Sequence, residues 1–243
     1  MSDDAQDSIP NHAKPSRRAR AAGSYHVEVL LVYDYSAYMF WYNLATATIV
    51  ADKTVEAKNL IRQYSAFLIN GLDILYESTS TYGTNINILF GGLVIAETAD
   101  DASWTESIKN SSKVDASMAL QIFKDWVQVT SLSGHDHSML LTRYDLTTGG
   151  SSSISGLAYL GAVCKASAQS ILEHGFSSMS ITLAAHELGH SLGANHDGQG
   201  NTCAAADGYV MAAGTAFRKT NQWLFSSCSV EKYFQPYIAS LGE

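Results

Sequence analysis

The chain has 243 residues, with 15 Lys and Arg against 23 Asp and Glu and a net charge of −8. Apolar residues make up 46 % and charged residues 16 %, which excludes a disordered, charge-rich chain. The acidic balance argues against a nucleic-acid backbone as partner, because phosphate binding wants clustered Lys and Arg. No stretch reaches the roughly 18 apolar residues that cross a bilayer.

The length suits one substantial domain with a short tail. Residues 1–24 are polar and hold Pro10, Pro15 and the cluster Arg17-Arg18-Ala19-Arg20. They read as a disordered lead carrying a processing site, left from a longer precursor. The first residues carry no apolar core of a secretory signal. Three cysteines, Cys164, Cys203 and Cys228, leave at least one without an internal partner and do not by themselves prove an oxidising compartment.

Ordered sequence starts near Tyr25. His26 to Tyr33 is apolar and β-branched, and reads as a buried strand. From Asp52 to Tyr76 apolar residues recur at steps of three and four, which predicts a long amphipathic helix with Asp52 as N-cap. Asn85 to Ile95 reads as a strand, with a bulge at Gly91-Gly92. A second helix is expected over Val114 to Val129, and a third strand over Met139 to Tyr144. Gly149 to Gly156 is a Gly/Ser-rich loop. Short strands follow at Gly156 to Gly161 and Ser170 to Glu173. A helix over Ser178 to Gly193 and a last one from Val230 to about Leu241 complete the set. The alternation implies an α/β (α+β) fold, with helices packed on a mixed sheet.

The densest chemistry lies in His186-Glu187-Leu188-Gly189-His190-Ser191-Leu192-Gly193-Ala194-Asn195-His196-Asp197. His186 and His190 are one helical turn apart on one face, so both imidazoles can bind one metal ion. Gly193 can take the positive φ that ends the helix and turns the chain. His196 can then return to the same metal. Three neutral nitrogens leave a fourth tetrahedral position for water, as in a catalytic zinc site. Glu187, beside the first ligand, is placed to act as general base on that water. Chance coincidence of these five residues at fixed spacing is on the order of 10⁻⁵ for such a chain. His135 and His137 flank Asp136 and read as exposed loop histidines. Asn110-Ser111-Ser112 is a glycosylation sequon.

This segment resembles the metzincin metallopeptidases, whose pattern is HExxHxxGxxH. Asp197 after the third histidine is similar to the adamalysin or reprolysin branch, which includes snake-venom metalloproteinases and ADAM and ADAMTS catalytic domains. The resemblance implies a largely five-stranded twisted sheet with long helices above a zinc cleft. A smaller irregular C-terminal subdomain, about residues 197–243, would lie below. It implies a methionine turn at Tyr209-Val210-Met211-Ala212, with Met211 beneath the zinc. It makes Gly156, Leu157, Ala158, Tyr159 and Leu160 the edge strand that pairs with extended substrate. It joins Cys203 to Cys228 and gives Cys164 a partner past the last helix, so that Cys164 is either free in this chain or paired beyond residue 243. It also implies a calcium site, with Glu28 and Asp136 at two of its ligand positions and the others beyond residue 243. Val210 and Ala212-Ala213 depart from the family pattern around the pocket under Met211.

The activity so implied is zinc-dependent endopeptidase action on protein or peptide substrates by a secreted, monomeric protein. The alternative is an inactive, zinc-holding relative that serves as a binding domain. The presence of Glu187 favours the enzyme, since a binding domain has no use for a general base.

Overall fold

Parallel strands covered on both faces read as nearly continuous apolar runs, and the first strand of this protein shows why. In the computed structural model, which describes residues 24–130, 132, 134–214 and 220–242, strand β1 (Ser24–Tyr33) lies inside a five-stranded sheet. Val27, Val29, Leu31 and Tyr33 face one apolar cluster, and Leu30 and Val32 face another. The expected lead and its Arg17–Arg20 cluster lie outside the described residues.

The other strands of this sheet are β2 (Asn85–Ile95), β4 (His137–Thr142), β6 (Gly156–Ala158) and β7 (Gln169–Glu173). Their order is β2-β1-β4-β7-β6. All neighbours are parallel except β6, which runs antiparallel to β7 at the edge. Short strands β3 (Lys113–Asp115) and β5 (Asp145–Thr147) pair with each other apart from this sheet. The expected bulge is present: Val29 pairs with Phe90 but Leu30 pairs with Gly92, so Gly91 is the extra residue. A side chain at Gly91 would press within 3.0 Å of the Val29 backbone.

Helix α2 (Val50–Glu77) buries Ala57, Ile61, Tyr64, Leu68, Leu72, Leu75 and Tyr76 at helical spacing. It starts two residues before the expected Asp52. Ile49 is the cap position and makes no side-chain cap bond, so Asp52 lies inside the first turn, where a carboxylate suits the helix dipole. Helix α4 (Ala116–Thr130) covers the opposite face through Ala119, Leu120, Phe123 and Val127. Between them in sequence, the single turn α3 (Ser103–Glu106) buries Trp104 against Phe123.

Helix α1 (Tyr35–Leu44) has no counterpart in the sequence reading. Its start is set by Asp34, whose Oδ1 accepts from the Ala37 N–H at 2.8 Å. The Asp34 carboxyl also accepts from Ser36 Oγ at 2.6 Å and from Thr142 Oγ1 at 2.6 Å. It is fully buried, and burial pushes its pKa up against those hydrogen bonds.

Helix α5 (Met179–Ser191) packs across α2. Tyr76 donates its hydroxyl to Ala185 O at 3.0 Å, one residue before His186. The C-terminal segment is a wide π-turn from Cys228 to Phe234, followed by helix α6 (Gln235–Ser240), in place of one continuous helix from Val230. Pro236 is what makes the join: it cannot donate to the carbonyl four residues back. No helix among the described residues is long and apolar enough to cross a membrane.

The histidines around Asp136 differ from expectation. His137 opens β4, is fully buried and bonds Ser170 Oγ through Nε2 at 2.8 Å. His135 is partly buried and bonds Ser138 Oγ. The strand begins two residues earlier than its apolar run, and this carries His137 into the core. Asn110, by contrast, is exposed.

His174, between β7 and α5, is buried as well. Its Nδ1 accepts from the Phe176 N–H at 3.1 Å, which leaves Nε2–H to bond Tyr64 Oη at 3.3 Å. Burial, with Arg143 nearby, lowers its pKa to about 3. Between roughly pH 6.5 and that value, the unfolded chain takes up a proton that the folded chain refuses. The folded state therefore loses about 1.4 kcal/mol per pH unit through this group as pH falls. His174→Asn keeps an acceptor near the Nδ1 position and cannot titrate. Urea denaturation at pH 6.5 and 4.5 should show a stability loss about 2–3 kcal/mol smaller in the variant. Equal losses would remove His174 as a source of acid lability.

Candidate active site

Helix α5 carries His186, Glu187 and His190 toward the methionine turn. Its end is a Schellman motif. Gly193 N–H bonds His190 O at 2.8 Å, Ala194 N–H bonds Gly189 O at 3.0 Å, and Gly193 has φ +94°. That reversal returns the chain so that His196 meets the other two imidazoles. The three Nε2 atoms form a triangle with every side 3.1 Å. Among the described residues, this is the one group of three or more His, Cys, Asp or Glu able to hold a metal ion.

The second nitrogens explain why these atoms converge. His186 Nδ1 lies 2.7 Å from Val210 O, and His190 Nδ1 lies 2.7 Å from Ala194 O. A carbonyl only accepts, so in both rings Nδ1 carries the proton and Nε2 presents its lone pair. Converging lone pairs repel unless a cation lies among them. Burial and the facing imidazoles lower the pKa of His186 to about 3, and burial lowers that of His190 to about 4. Neutral rings of this kind are what a metal needs. Zinc–nitrogen bonds of about 2.0–2.1 Å in tetrahedral geometry set ligand nitrogens roughly 3.3 Å apart. The triangle therefore fits zinc.

The turn below the site packs tightly. Met211 is fully buried, and Asp197 N–H donates to Met211 O at 2.8 Å. A methyl group on Gly189 would lie 2.5 Å from Met211 Sδ. The absence of a side chain at Gly189 is what lets the helix rest on the methionine. Asp197 Oδ1 accepts from Ser226 Oγ at 2.7 Å, and Asn201 Nδ2 holds His196 O at 2.9 Å. The third histidine is thus braced by Asn201 five positions on, and its neighbour Asp197 by Ser226 from the C-terminal segment.

Cys203 and Cys228 form a disulfide across 25 positions. It clamps the segment that follows His196 to the one that carries Ser226. On the loop-entropy account a crosslink of that span contributes about 3.5 kcal/mol. The double variant Cys203→Ser, Cys228→Ser should lose about that much in denaturant titrations, and an unchanged midpoint would refute it.

Glu187 is buried, and burial pushes its pKa up to about 8. Its Oε2 has no hydrogen-bond partner, an unusual state for a buried carboxyl oxygen. It lies against Gly156, the first residue of β6. That strand is shorter than expected. It ends at Ala158 because Gly161, with φ +58°, turns away and donates its N–H to His190 O at 2.9 Å. Leu157 and Ala158 pair with Ile171 and Ser170, Tyr159 N–H still reaches Gln169 O, and Leu160 is exposed. No strand among the described residues covers the outer edge of β6.

Asp136 meets β1 at the backbone of Glu28. Asp136 Oδ2 accepts from the Glu28 N–H at 2.9 Å, and its Oδ1 accepts from Cys164 Sγ at 3.4 Å. Both Asp136 oxygens are thereby engaged within the chain, and Cys164 takes no part in the disulfide.

Sequence reasoning missed Val210 O, Ala194 O, Gly189, Ser226 and Asn201. The ring-to-carbonyl distance, the one signal that reveals the first two, exists only after folding.

Comparison with known proteins agrees with this geometry. Residues 23–226 match the model of metallo-peptidase family M12, of the reprolysin type. The human protein "A disintegrin and metalloproteinase with thrombospondin motifs 14" is 30 % identical, covering 96 % of this chain and 17 % of that protein. "Zinc metalloproteinase/disintegrin" of Bitis gabonica is 35 % identical, covering 62 % of this chain and 46 % of that protein. The chain thus spans less than half the length of these relatives. An archaemetzincin structure from Methanopyrus kandleri is 16 % identical, with a TM-score of 0.49, covering 88 % of this chain and 96 % of that one. With the three-histidine centre in place and the family pattern spanning most of its length, the chain belongs to the M12 metallopeptidases of the reprolysin type.

Proposed function

We propose that this protein is an endopeptidase that cleaves extracellular proteins, with His186, His190 and His196 as zinc ligands and Glu187 as general base. The observation that carries this reading is the set of converging Nε2 atoms beside a buried carboxyl with a free oxygen. Zinc held by His186, His190 and His196 would lower the pKa of a bound water toward 7 and polarise the scissile carbonyl. A cation held by the three histidines would favour the ionised form of the Glu187 carboxyl against its burial, and Glu187 then takes the proton from the attacking water and hands it to the leaving amine. Val210 O and Ala194 O keep two ligand rings in the tautomer this requires. The open edge of β6 lines up an extended substrate backbone by strand addition. Met211 supports the ligand helix from below.

The disulfide supports an oxidising, secreted setting. Processing from a longer precursor accords with that setting.

The test is cleavage-site profiling on a proteome-derived peptide library. Internal cleavage that stops on chelation and returns with zinc is the expected result. A zinc-loaded protein that cleaves nothing would leave a binding domain as the better reading.

A further inference from the structure

We infer that Gly156 is a positioning residue for Glu187: the missing side chain of the first β6 residue is the space that the general-base carboxyl occupies. The inference rests on the role proposed for Glu187. A methyl group at Gly156 would lie 2.7 Å from Glu187 Cδ and 2.8 Å from Cγ, and closer still to Oε1. The backbone does not ask for glycine here, since Gly156 is not among the residues with positive φ. Space alone asks for it.

One of the two must yield if a side chain is added, and the bonds on each decide which. β6 is held on both sides of the contact. Gly156 pairs with Leu172, Glu173 N–H bonds Ser155 O at 2.7 Å, and Ser191 Oγ bonds Tyr159 O at 3.2 Å. The Glu187 carboxyl has no such ties: its Oε2 is without a partner. The strand therefore stays and the carboxyl moves. Because Glu187 follows His186 on α5, the ligand rings, fixed through Val210 O and Ala194 O, need not move with it.

Gly156→Ala should keep stoichiometric zinc and a KM close to wild type, while kcat falls about 100-fold, the cost of misplacing a reacting group by about 1 Å. Glu187→Asp, one methylene shorter, lowers kcat alone. In the Gly156→Ala chain it should raise kcat above that of Gly156→Ala itself. A readout independent of turnover is the melting temperature. Gly156→Ala should lower it in the Glu187 chain and leave it unchanged or raise it in a Glu187→Ala chain. Wild-type kcat in Gly156→Ala, losses that simply multiply, or the same melting loss in both backgrounds would overturn the inference. A zinc-loaded wild type that cleaves nothing would sink the peptidase reading alone. The melting comparison would then decide the Gly156 contact by itself.

Discussion

Glu187→Ala is expected to cut peptide hydrolysis by about 10²–10⁴-fold, the usual contribution of a general acid–base group, with zinc still bound at one per chain. The separation of the two effects follows from the structure. The proposed ligand nitrogens are His186, His190 and His196 Nε2, and the first two rings are oriented by the carbonyls of Val210 and Ala194, not by Glu187. The carboxyl holds no ligand ring, and one of its oxygens has no partner to abandon. Removing it should also stabilise the fold slightly, since a buried polar oxygen without a hydrogen bond is costly. The measurement is metal content by mass spectrometry beside kcat on a cleaved peptide. A variant that loses zinc together with activity would show that Glu187 maintains the site rather than working the chemistry.

Gly189→Ala is expected to damage the metal centre without touching a ligand. The added methyl falls 2.5 Å from Met211 Sδ and 3.5 Å from Phe225 Cε1. Both residues are buried, Met211 completely, so neither has open space to retreat into. Overpacking of this kind costs about 1–3 kcal/mol. The strain is delivered to the turn that supplies Val210 O to His186 and Met211 O to Asp197 N–H. Loss of such supports typically lowers metal affinity by about 10–100-fold. Zinc titration against a competing chelator reads the affinity, and thermal unfolding reads the packing. Met211→Ala in the Gly189→Ala chain makes room for the methyl, and should recover part of the affinity. Wild-type affinity in Gly189→Ala would show that the turn yields freely and does not support the ligands.

Much of the fold is legible in the sequence, and particular residues show why. Asn85–Ile95 appears as a strand with the limits read from its composition, and the Gly91-Gly92 pair does mark the bulge. Both are local properties: a stretch of apolar residues of strand length, and a place where a side chain would meet the neighbouring backbone. The edge strand was legible in position but not in length, because its end is set by Gly161 reaching His190 O, 29 positions away. Helix α1 was not legible at all. In Tyr35–Leu44 almost every residue is aromatic or apolar, so the helical period has no polar face to contrast with. Its start is declared by Asp34, but that carboxyl also bonds the distant Thr142.

The histidines divide along the same line. Spacing on one helix turn brings His186 and His190 together, and Gly193 permits the turn that brings His196, so the metal centre was readable from twelve consecutive residues. Backbone geometry over so short a span leaves little freedom. The characters of His137 and His174 were not readable, because each depends on contacts 33 and 110 positions distant, to Ser170 and Tyr64. The same holds for Glu187. Its place beside His186 is written in the sequence, but the space it occupies belongs to Gly156, and its raised pKa belongs to its burial. Local sequence determined which atoms could meet the metal. Only the tertiary structure decided which carbonyls orient them and where the carboxyl fits, because those are contacts between segments that adjacency in sequence does not constrain.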